Sequence, residues 1–378
     1  MKKLIALLLA AVLCLSLAAC GNGEGSENTD NSQEQTTGTE KTSDESKQPT
    51  QTTEKASDES KQPTQATEAS QVDTTPVIST DDRISTDTCE FSIDYINITD
   101  DVLPPSPGSW YSHYEADNGK VYVDFCIAYK NMTSRDIGAD ETVSGTLIYA
   151  DKYEYKGFSI IEEENRSNFT YSNITNIAPL TTEYVHYLFE VPEEVETSGL
   201  SIVLKMRIGG ADYKVTVREG DGISDENAAP TGKTSGAVVV GEVVVTKNAE
   251  FCIDYSDITN DVVPLHPGSW YSHYEADDGK VYVDVCFAYK NTSGKSVGAD
   301  DVISAKLKYA DKYEYSGFLI IEEDNRGNFT YSNITSIAPL CTEYIHFLFA
   351  VPEEIQNSSE SIVITFSVSG NTYTYTVR

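Results

Sequence analysis

Residues 120–130 read KVYVDFCIAYK, and this stretch decides the fold. Its apolar side chains recur at every second position from Val121 to Tyr129, whereas Asp124 and Lys130 fall on the opposite side. A period of two is typical of an extended strand, because successive side chains of a strand point to opposite faces. The stretch therefore predicts a β-strand that packs one face against a core.

Short runs of the same kind fill the sequence around this strand, and the segment around His186 also alternates. Turn sequences such as Asn118-Gly119 separate several of the runs. No segment has a sustained apolar period of 3.6 residues, which an amphipathic helix would need. The further runs are residues 91–98, 143–149, 153–161, 200–208 and 212–218. About seven short strands within about 130 residues predict an antiparallel β-sandwich.

The whole pattern is present twice. Residues 88–218 align without a gap with residues 248–378, at a constant offset of 160, and most positions are identical. The block PGSWYSHYEAD, for example, begins at Pro107 and returns at Pro267. Two copies of one sequence predict two domains of one fold, called repeat 1 and repeat 2 below.

Each copy also resembles a known module. The first strand ends in Asn131, a turn follows at Pro179, and a later strand finishes in Phe-Glu-Val-Pro at 189–192, with Phe-Ala-Val-Pro at 349–352 in the second copy. These pieces resemble the telokin-like, immunoglobulin-related domain of unknown function found on many Gram-positive lipoproteins. The resemblance implies two tandem immunoglobulin-like sandwiches at the cell surface. It supplies no catalytic residues, and the segment 110–115 lies outside the shared pattern.

The N-terminus carries the features of an export signal. Lys2 and Lys3 precede an apolar run that ends in Leu17-Ala18-Ala19-Cys20. A basic start, a short apolar stretch and small residues are typical of a secretory signal peptide, and the run is too short to favour a membrane-spanning helix. Leu-Ala-Ala-Cys resembles the lipobox of bacterial lipoproteins. The resemblance implies that Cys20 is lipidated and anchors the protein to the outer side of the cell membrane; the alternative is an ordinary secretory signal with a chance cysteine.

The segment after Cys20 has no aromatic residue and is rich in Ser, Thr, Gln, Glu, Asp and Lys. Such a segment cannot bury enough apolar surface to offset the entropy of ordering it, so we predict a disordered tether. The predicted organisation is a signal peptide over 1–19, a tether over 20–81, repeat 1 over 82–218, a short linker over 219–236 and repeat 2 over 237–378.

The charge of the chain excludes some partners. With 60 acidic and 27 basic side chains the net charge is −33, which argues against a nucleic-acid partner and against electrostatic docking on an anionic membrane. Acidic positions that recur in both repeats, such as 162–164, indicate a solvated, repulsive surface. Carboxylates that converge at one end of a sandwich could instead hold Ca²⁺, although no EF-hand loop is present. The weak calcium candidates are Asp140, Glu141, Asp300 and Asp301; no other cofactor is predicted.

The cysteines and histidines give no catalytic pattern. Of the cysteines that follow Cys20, only Cys126 and Cys286 occupy equivalent positions, which favours packed thiols over bridges such as Cys89–Cys126. The histidines present in both repeats could each pair with a carboxylate, but surface or half-buried positions are the ordinary interpretation. Neither Gly-x-Ser-x-Gly nor His-Glu-x-x-His occurs, so the sequence predicts no enzyme. The remaining cysteines are Cys89, Cys252 and Cys341, and the paired histidines are His113 with His273 and His186 with His346.

Aromatic residues in turn regions are the better candidates for binding, because binding residues are often carried on loops. Aromatic faces beside acidic groups suit sugars or peptides, whereas a lone tryptophan in a sandwich can also belong to the core. Burial of both tryptophans would exclude the binding interpretation. The candidate ligand-binding residues are Trp110, Tyr111, His113, Tyr114, Trp270, Tyr271, His273 and Tyr274.

Together these features predict a non-catalytic, lipid-anchored binding or adhesion protein of the cell surface. Its predicted partners are the membrane, through the anchor, and a cell-wall, glycan or protein ligand. Two similar modules on one chain gain avidity when both find ligands. Two alternatives are open: a glycan- or solute-binding lipoprotein of a sensor or transport system, and an unrecognised extracellular enzyme.

Overall fold

The computed structural model describes residues 73–163, 165–223, 233–323 and 325–378. The predicted signal peptide, Cys20 and residues 20–72 of the predicted tether lie outside the described residues. Almost every described element is a strand, which confirms the all-β prediction. Among the described residues, no helix has the length and apolar character needed to cross a membrane.

Repeat 1 is built from two antiparallel sheets that face each other. The order of strands is β1-β2-β5-β12-β9-β10 in a six-stranded sheet and β14-β13-β7-β8 in a four-stranded sheet. The small pairs β3–β4 and β6–β11 lie outside these sheets. The strands are β1 (Arg83–Ser85), β2 (Cys89–Thr99), β3 (Asp101–Val102), β4 (Tyr114–Glu115), β5 (Lys120–Asn131), β6 (Ile137–Gly138), β7 (Val143–Tyr149), β8 (Tyr153–Lys156), β9 (Phe158–Glu162), β10 (Phe169–Tyr171), β11 (Asn176–Ile177), β12 (Thr182–Pro192), β13 (Ile202–Ile208) and β14 (Ala211–Arg218).

Repeat 2 has the same plan, with the orders β16-β17-β20-β27-β24-β25 and β15-β29-β28-β22-β23 and the small pairs β18–β19 and β21–β26. Its edge strand β15 runs parallel to β29. The strands are β15 (Gly236–Val238), β16 (Val244–Val245), β17 (Ala249–Thr259), β18 (Asp261–Val262), β19 (Tyr274–Glu275), β20 (Lys280–Asn291), β21 (Val297–Gly298), β22 (Ile303–Tyr309), β23 (Tyr313–Ser316), β24 (Phe318–Glu322), β25 (Phe329–Tyr331), β26 (Ser336–Ile337), β27 (Thr342–Pro352), β28 (Ile362–Val368) and β29 (Asn371–Thr376).

Helical structure among the described residues is confined to single turns. One α-helical turn, α1 (Glu194–Thr197), follows β12. The 3₁₀ turns are Ala139–Glu141, Ser172–Ile174, Ala299–Asp301, Ser332–Ile334 and Glu353–Ile355.

The core of each repeat lies between its two sheets, as the period of two predicts. Val123, Phe125 and Ile127 of β5 are completely buried there, together with Phe189 of β12. Burying such side chains stabilises a fold by about 1.5–3 kcal/mol each. The opposite face of β5 and β12, however, is also buried.

A second, smaller apolar cluster covers the outer face of the six-stranded sheet. Val102 of β3 and Phe169 of β10 close over it, and Tyr114 packs against its edge. Its buried members are Val102, Tyr122, Ile160, Phe169 and Leu188. Polar side chains on this face, which the alternation assigns to solvent, are therefore enclosed.

Two predicted boundaries differ from the structure. The run 153–161 is not one strand, because the chain crosses from one sheet to the other at Gly157, where a side chain would collide with the backbone of Leu188. The fold of repeat 1 also begins before residue 82. Val77 forms a parallel bridge with Lys214, and Ile78 is buried in the core, so the end of the predicted tether belongs to the sandwich.

Candidate functional site

Both tryptophans lie on the surface, on the loop that joins β3 to β4 and its equivalent between β18 and β19. The side chain of Trp110 is 88% exposed and that of Trp270 is 91% exposed. Tyr111 and Tyr271 beside them are each 41% exposed. The tryptophans are therefore not core residues. We call residues 103–113 and 263–273 the tryptophan loops.

The tryptophan loop of repeat 1 is fastened to the turn between β9 and β10. The Ser106 amide donates a hydrogen bond to the carbonyl oxygen of Arg166 (3.0 Å), and the Ser112 amide donates to Asn168 Oδ1 (2.7 Å). Asn168 is in turn held by Glu163, since its Nδ2 donates to Glu163 Oε1 (2.9 Å). The exposed indole is therefore presented by backbone that is fixed on both sides of it.

The same fastening is present in repeat 2. The His266 amide donates to the Arg326 carbonyl oxygen (2.8 Å), and the Ser272 amide donates to Asn328 Oδ1 (2.7 Å). The two repeats therefore present two equivalent tryptophan loops.

The other predicted binding residues separate into two groups. His113 and His273 lie on the surface, where each Nδ1 is hydrogen-bonded to an aspartate, Asp101 (2.6 Å) or Asp261 (2.7 Å). Tyr114 is half-buried instead and packs on Phe158 and Phe169, with ring centroids 5.6 and 6.0 Å apart. Tyr274 packs in the same way on Phe318 and Phe329. Both tyrosines directly follow the tryptophan loops, and their packing holds the ends of these loops in place.

A buried histidine cluster lies beneath the tryptophan loop of repeat 1, on the covered outer face of the six-stranded sheet. His186 is completely buried, with Nδ1 2.8 Å from Asp124 Oδ1 and Nε2 2.8 Å from Glu162 Oε1. Arg166 closes the cluster, because its Nε lies 2.5 Å from Glu162 Oε2 and its Nη2 lies 2.7 Å from Asp94 Oδ2. These five side chains are named the buried histidine cluster of repeat 1.

Sheet register brings these residues together. Strand β12 runs between β5 and β9, so that His186 is paired with Cys126 on one side and with Ile160 on the other. The ring of His186 is enclosed by the edges of Tyr95 (5.7 Å between centroids) and Phe169 (5.1 Å). The expectation of a surface or half-buried histidine was therefore wrong for His186.

Repeat 2 contains the equivalent cluster. His346 Nδ1 lies 3.0 Å from Asp284 Oδ1, and its Nε2 lies 3.4 Å from Glu322 Oε1. The guanidinium of Arg326 contacts Glu322 and, at 3.0 Å, Asp254. His346 is also completely buried, so the same correction applies to it.

Electrostatics favour a protonated histidine. Burial disfavours the imidazolium, but hydrogen bonds with Asp124, Cys126 and Glu162 outweigh it and raise the pKa of His186 well above its usual value. Burial also opposes ionisation of Glu162, but hydrogen bonds from His186 and Arg166 lower the pKa of its carboxyl group. Burial raises the pKa of the Cys126 thiol to about 11, so this group is neutral near pH 7.

The side-chain atoms that could bind a metal ion here already contact other residues of the cluster. The ligand atoms of Cys126, Glu162 and His186 lie within 4.8 Å of one another, a spacing that a metal ion could bridge. Both imidazole nitrogens, however, contact carboxylates, and both Glu162 oxygens contact Arg166. Two cations thus contact three carboxylates, and the arrangement is a charge-paired network rather than an open site.

The predicted calcium candidates lie elsewhere. Asp140 and Glu141 are exposed on one 3₁₀ turn, and Asp300 and Asp301 on its equivalent. In the part of the chain that the structure describes, neither pair joins a third carboxylate, imidazole or thiol in a three-ligand group. The interpretation of 162–164 as solvated surface was wrong for Glu162, which is buried.

The described cysteines are packed rather than catalytic in placement. Cys89, Cys126 and Cys286 are buried and Cys252 is half-buried, each with a free thiol. Burial raises the pKa of the Cys252 and Cys286 thiols as well, which disfavours the reactive thiolate.

The chain was compared with family models, curated proteins and solved structures. No family model and no curated protein matches the sequence. Among solved structures, the chain is similar to an uncharacterized β-sandwich protein from Clostridium difficile 630, with 33% sequence identity and a TM-score of 0.36. The match covers 40% of this chain and 100% of that protein. The protein described here is thus an all-β chain that is similar, over part of its length, to a bacterial β-sandwich protein without an assigned function.

Proposed function

We propose that this protein is a non-catalytic, lipid-anchored binding protein of the bacterial cell surface, and that it contacts its ligand through the two tryptophan loops. One observation carries the proposal: an exposed indole stands at the same position of each repeat, at 88% for Trp110 and 91% for Trp270. A large exposed aromatic side chain on a fixed loop is a typical binding anchor, because little conformational freedom is lost when it is covered. The proposed ligand is a cell-wall polysaccharide, whose sugar rings present flat faces to an indole.

Alanine substitution of both tryptophans tests this proposal. Truncating an interface tryptophan commonly costs about 2 kcal/mol or more, so we expect W110A or W270A to weaken binding at least about tenfold and the double variant to abolish avidity. Binding of the folded chain to purified cell walls and to glycan arrays, with and without EDTA, measures the effect. Binding that is insensitive to EDTA would exclude the calcium candidates.

The matched control uses two other exposed apolar residues at equivalent positions. Ile174 and Ile334 are 73% and 74% exposed, outside the tryptophan loops. I174A/I334A should bind as the unmodified protein does. Equal losses in the isoleucine and tryptophan variants, or no binding to any cell-wall or glycan probe, would refute the proposed role of the tryptophan loops.

The anchor is tested separately. Replacing Cys20 by serine removes the only thiol that could be acylated at the Leu-Ala-Ala-Cys sequence, so we expect the C20S protein to move from the membrane to the medium or the aqueous phase. Detergent phase partitioning of the two proteins, expressed with their signal sequence in a bacterium, gives the readout. Unmodified protein that stays in the aqueous phase would show that Leu-Ala-Ala-Cys is not a lipobox.

A further inference from the structure

The two repeats meet through different ends of the same sandwich. Repeat 1 contributes its hairpin end, the turn between β7 and β8 with Tyr155; repeat 2 contributes its loop end, residues 291–295 and 338–341. The Tyr155 hydroxyl donates to the carbonyl oxygen of Pro339 (3.1 Å), and the Glu154 amide donates to the carbonyl oxygen of Gly294 (2.7 Å). Glu154 also forms an ion pair with Lys295 (3.3 Å).

The contact extends the core of repeat 1 into repeat 2. Leu340 and Ala338 of the loop end pack against that core, and Tyr155 is only 2% exposed. Burial raises the pKa of the Tyr155 hydroxyl, as expected for a side chain enclosed by both repeats.

The two unused ends remain on the surface. The hairpin end of repeat 2 carries Tyr313, which is 48% exposed, and Tyr315, which is half-buried. The loop end of repeat 1 exposes Leu180, the counterpart of Leu340, to 68%. The contact is therefore heterologous, since it joins two different surfaces. A heterologous contact between identical units can propagate into open chains of molecules unless something prevents it.

The two loop ends differ in sequence at five positions, and at one of these positions the change adds a Cβ atom. Repeat 2 has Gly294 where repeat 1 has Ser134. A Cβ atom added at Gly294 would lie 2.7 Å from the carbonyl oxygen of Lys152 in the hairpin end, which is closer than real contacts allow. Gly294 does not have a positive φ, so the turn itself does not need a glycine. Glycine is required here by the neighbouring repeat.

We propose that Ser134 keeps the hairpin end of repeat 2 from docking on the loop end of repeat 1 of a second copy of this chain. The remaining parts of the interface are present on the exposed ends: Tyr315 for Tyr155, Pro179 for Pro339, and an acid–base pair of Glu314 and Arg135 in place of Glu154 and Lys295. The Cβ atom of Ser134 thus limits head-to-tail pairing to the two repeats of one molecule.

The test is the association state of the full chain carrying C20S, so that no lipid contributes. We expect S134G to form head-to-tail oligomers whose weight-average mass in analytical ultracentrifugation rises with concentration, while the parent protein stays monomeric. S134A is the matched control, because it removes the hydroxyl group but keeps the Cβ atom, and it should stay monomeric.

A second variant tests whether the oligomers form through the hairpin end of repeat 2. E314K in the S134G background places two cations at the new contact and should return the protein to monomers. The proposal is overturned if S134G remains monomeric over the whole concentration series, if S134A associates as strongly, or if E314K leaves the oligomers unchanged.

Discussion

Replacing His186 by leucine is expected to lower the free energy of unfolding by about 3–5 kcal/mol, because Asp124 and Glu162 then lose a cation that lies 2.8 Å from each. Leucine fills a comparable volume, so packing alone does not explain such a loss. Urea denaturation followed by circular dichroism measures the effect, and H346L in repeat 2 should behave in the same way.

The chain contains its own control for this substitution. His113 lies 2.6 Å from Asp101, as close as His186 lies to Asp124, but on the surface. Exposed ion pairs contribute about 0–1 kcal/mol, so H113L should cost no more than that. Comparing the stability lost in H186L with that lost in H113L separates the effect of burying a His–Asp pair from the effect of the distance between its two side chains.

A triple variant checks the physical reason. In H186L/D124L/E162L the two buried carboxylates are removed together with the histidine, while Arg166 keeps its ion pair with Asp94 (2.7 Å). Replacing buried ion pairs by apolar residues of similar volume is often neutral. We expect it to recover much of the stability that H186L loses. A cost below about 1 kcal/mol for H186L would contradict the account of the cluster as a charge-paired network.

The sequence predicted the sandwich because alternation reports directly on strands. Val123, Phe125 and Ile127 are buried as the period of two requires, and the duplication predicted two equivalent domains. The boundary at Gly157 was missed because residues typical of strands occur on both sides of it, and such a run does not say in which sheet each part lies.

The covered outer face could not be predicted from the same rule. Alternation assigns Asp124 to solvent, and the rule assumes that only one face of a strand is buried. A signal was present, since Asp124, Glu162, His186 and Arg166 all recur in repeat 2. With most positions identical between the repeats, however, recurrence alone could not distinguish a buried network from ordinary surface residues.

Whether the tryptophans are buried or exposed could not be decided from the sequence either. A tryptophan that is surrounded by tyrosines fits a core as well as a loop tip, since packing and binding use the same residue types. The deciding contacts come from the distant turn at Arg166 and Asn168, which holds the loop in place.

Stability should also depend on pH in a direction set by the two buried histidines. The pKa values of His186 and His346 are raised in the folded state. Below the usual histidine pKa of about 6.5 the folded and unfolded chains both hold the proton, and the stabilisation is fully present. Above it the unfolded chain releases protons that the folded chain keeps, so the free energy of unfolding falls by up to about 1.4 kcal/mol per pH unit for each histidine until the folded pKa is reached.

The carboxylates act in the opposite direction at acid pH. The pKa values of Glu162 and Glu322 are lowered, so their contribution is lost as the pH falls below the usual glutamate value of about 4.3. Maximal stability is therefore expected between about pH 4.3 and 6.5. Urea midpoints measured from about pH 2 to about pH 9 test both arms of this profile.

Two double variants test whether the buried histidine clusters cause the loss of stability at alkaline pH. H186L/H346L removes the histidines whose protons are retained by the fold, and its stability should change little between neutral and alkaline pH. H113A/H273A removes the exposed histidines instead and should keep most of the slope, because exposed pairs are screened by solvent. If the two variants exchange these behaviours, the surface pairs and not the buried histidine clusters control the alkaline loss of stability.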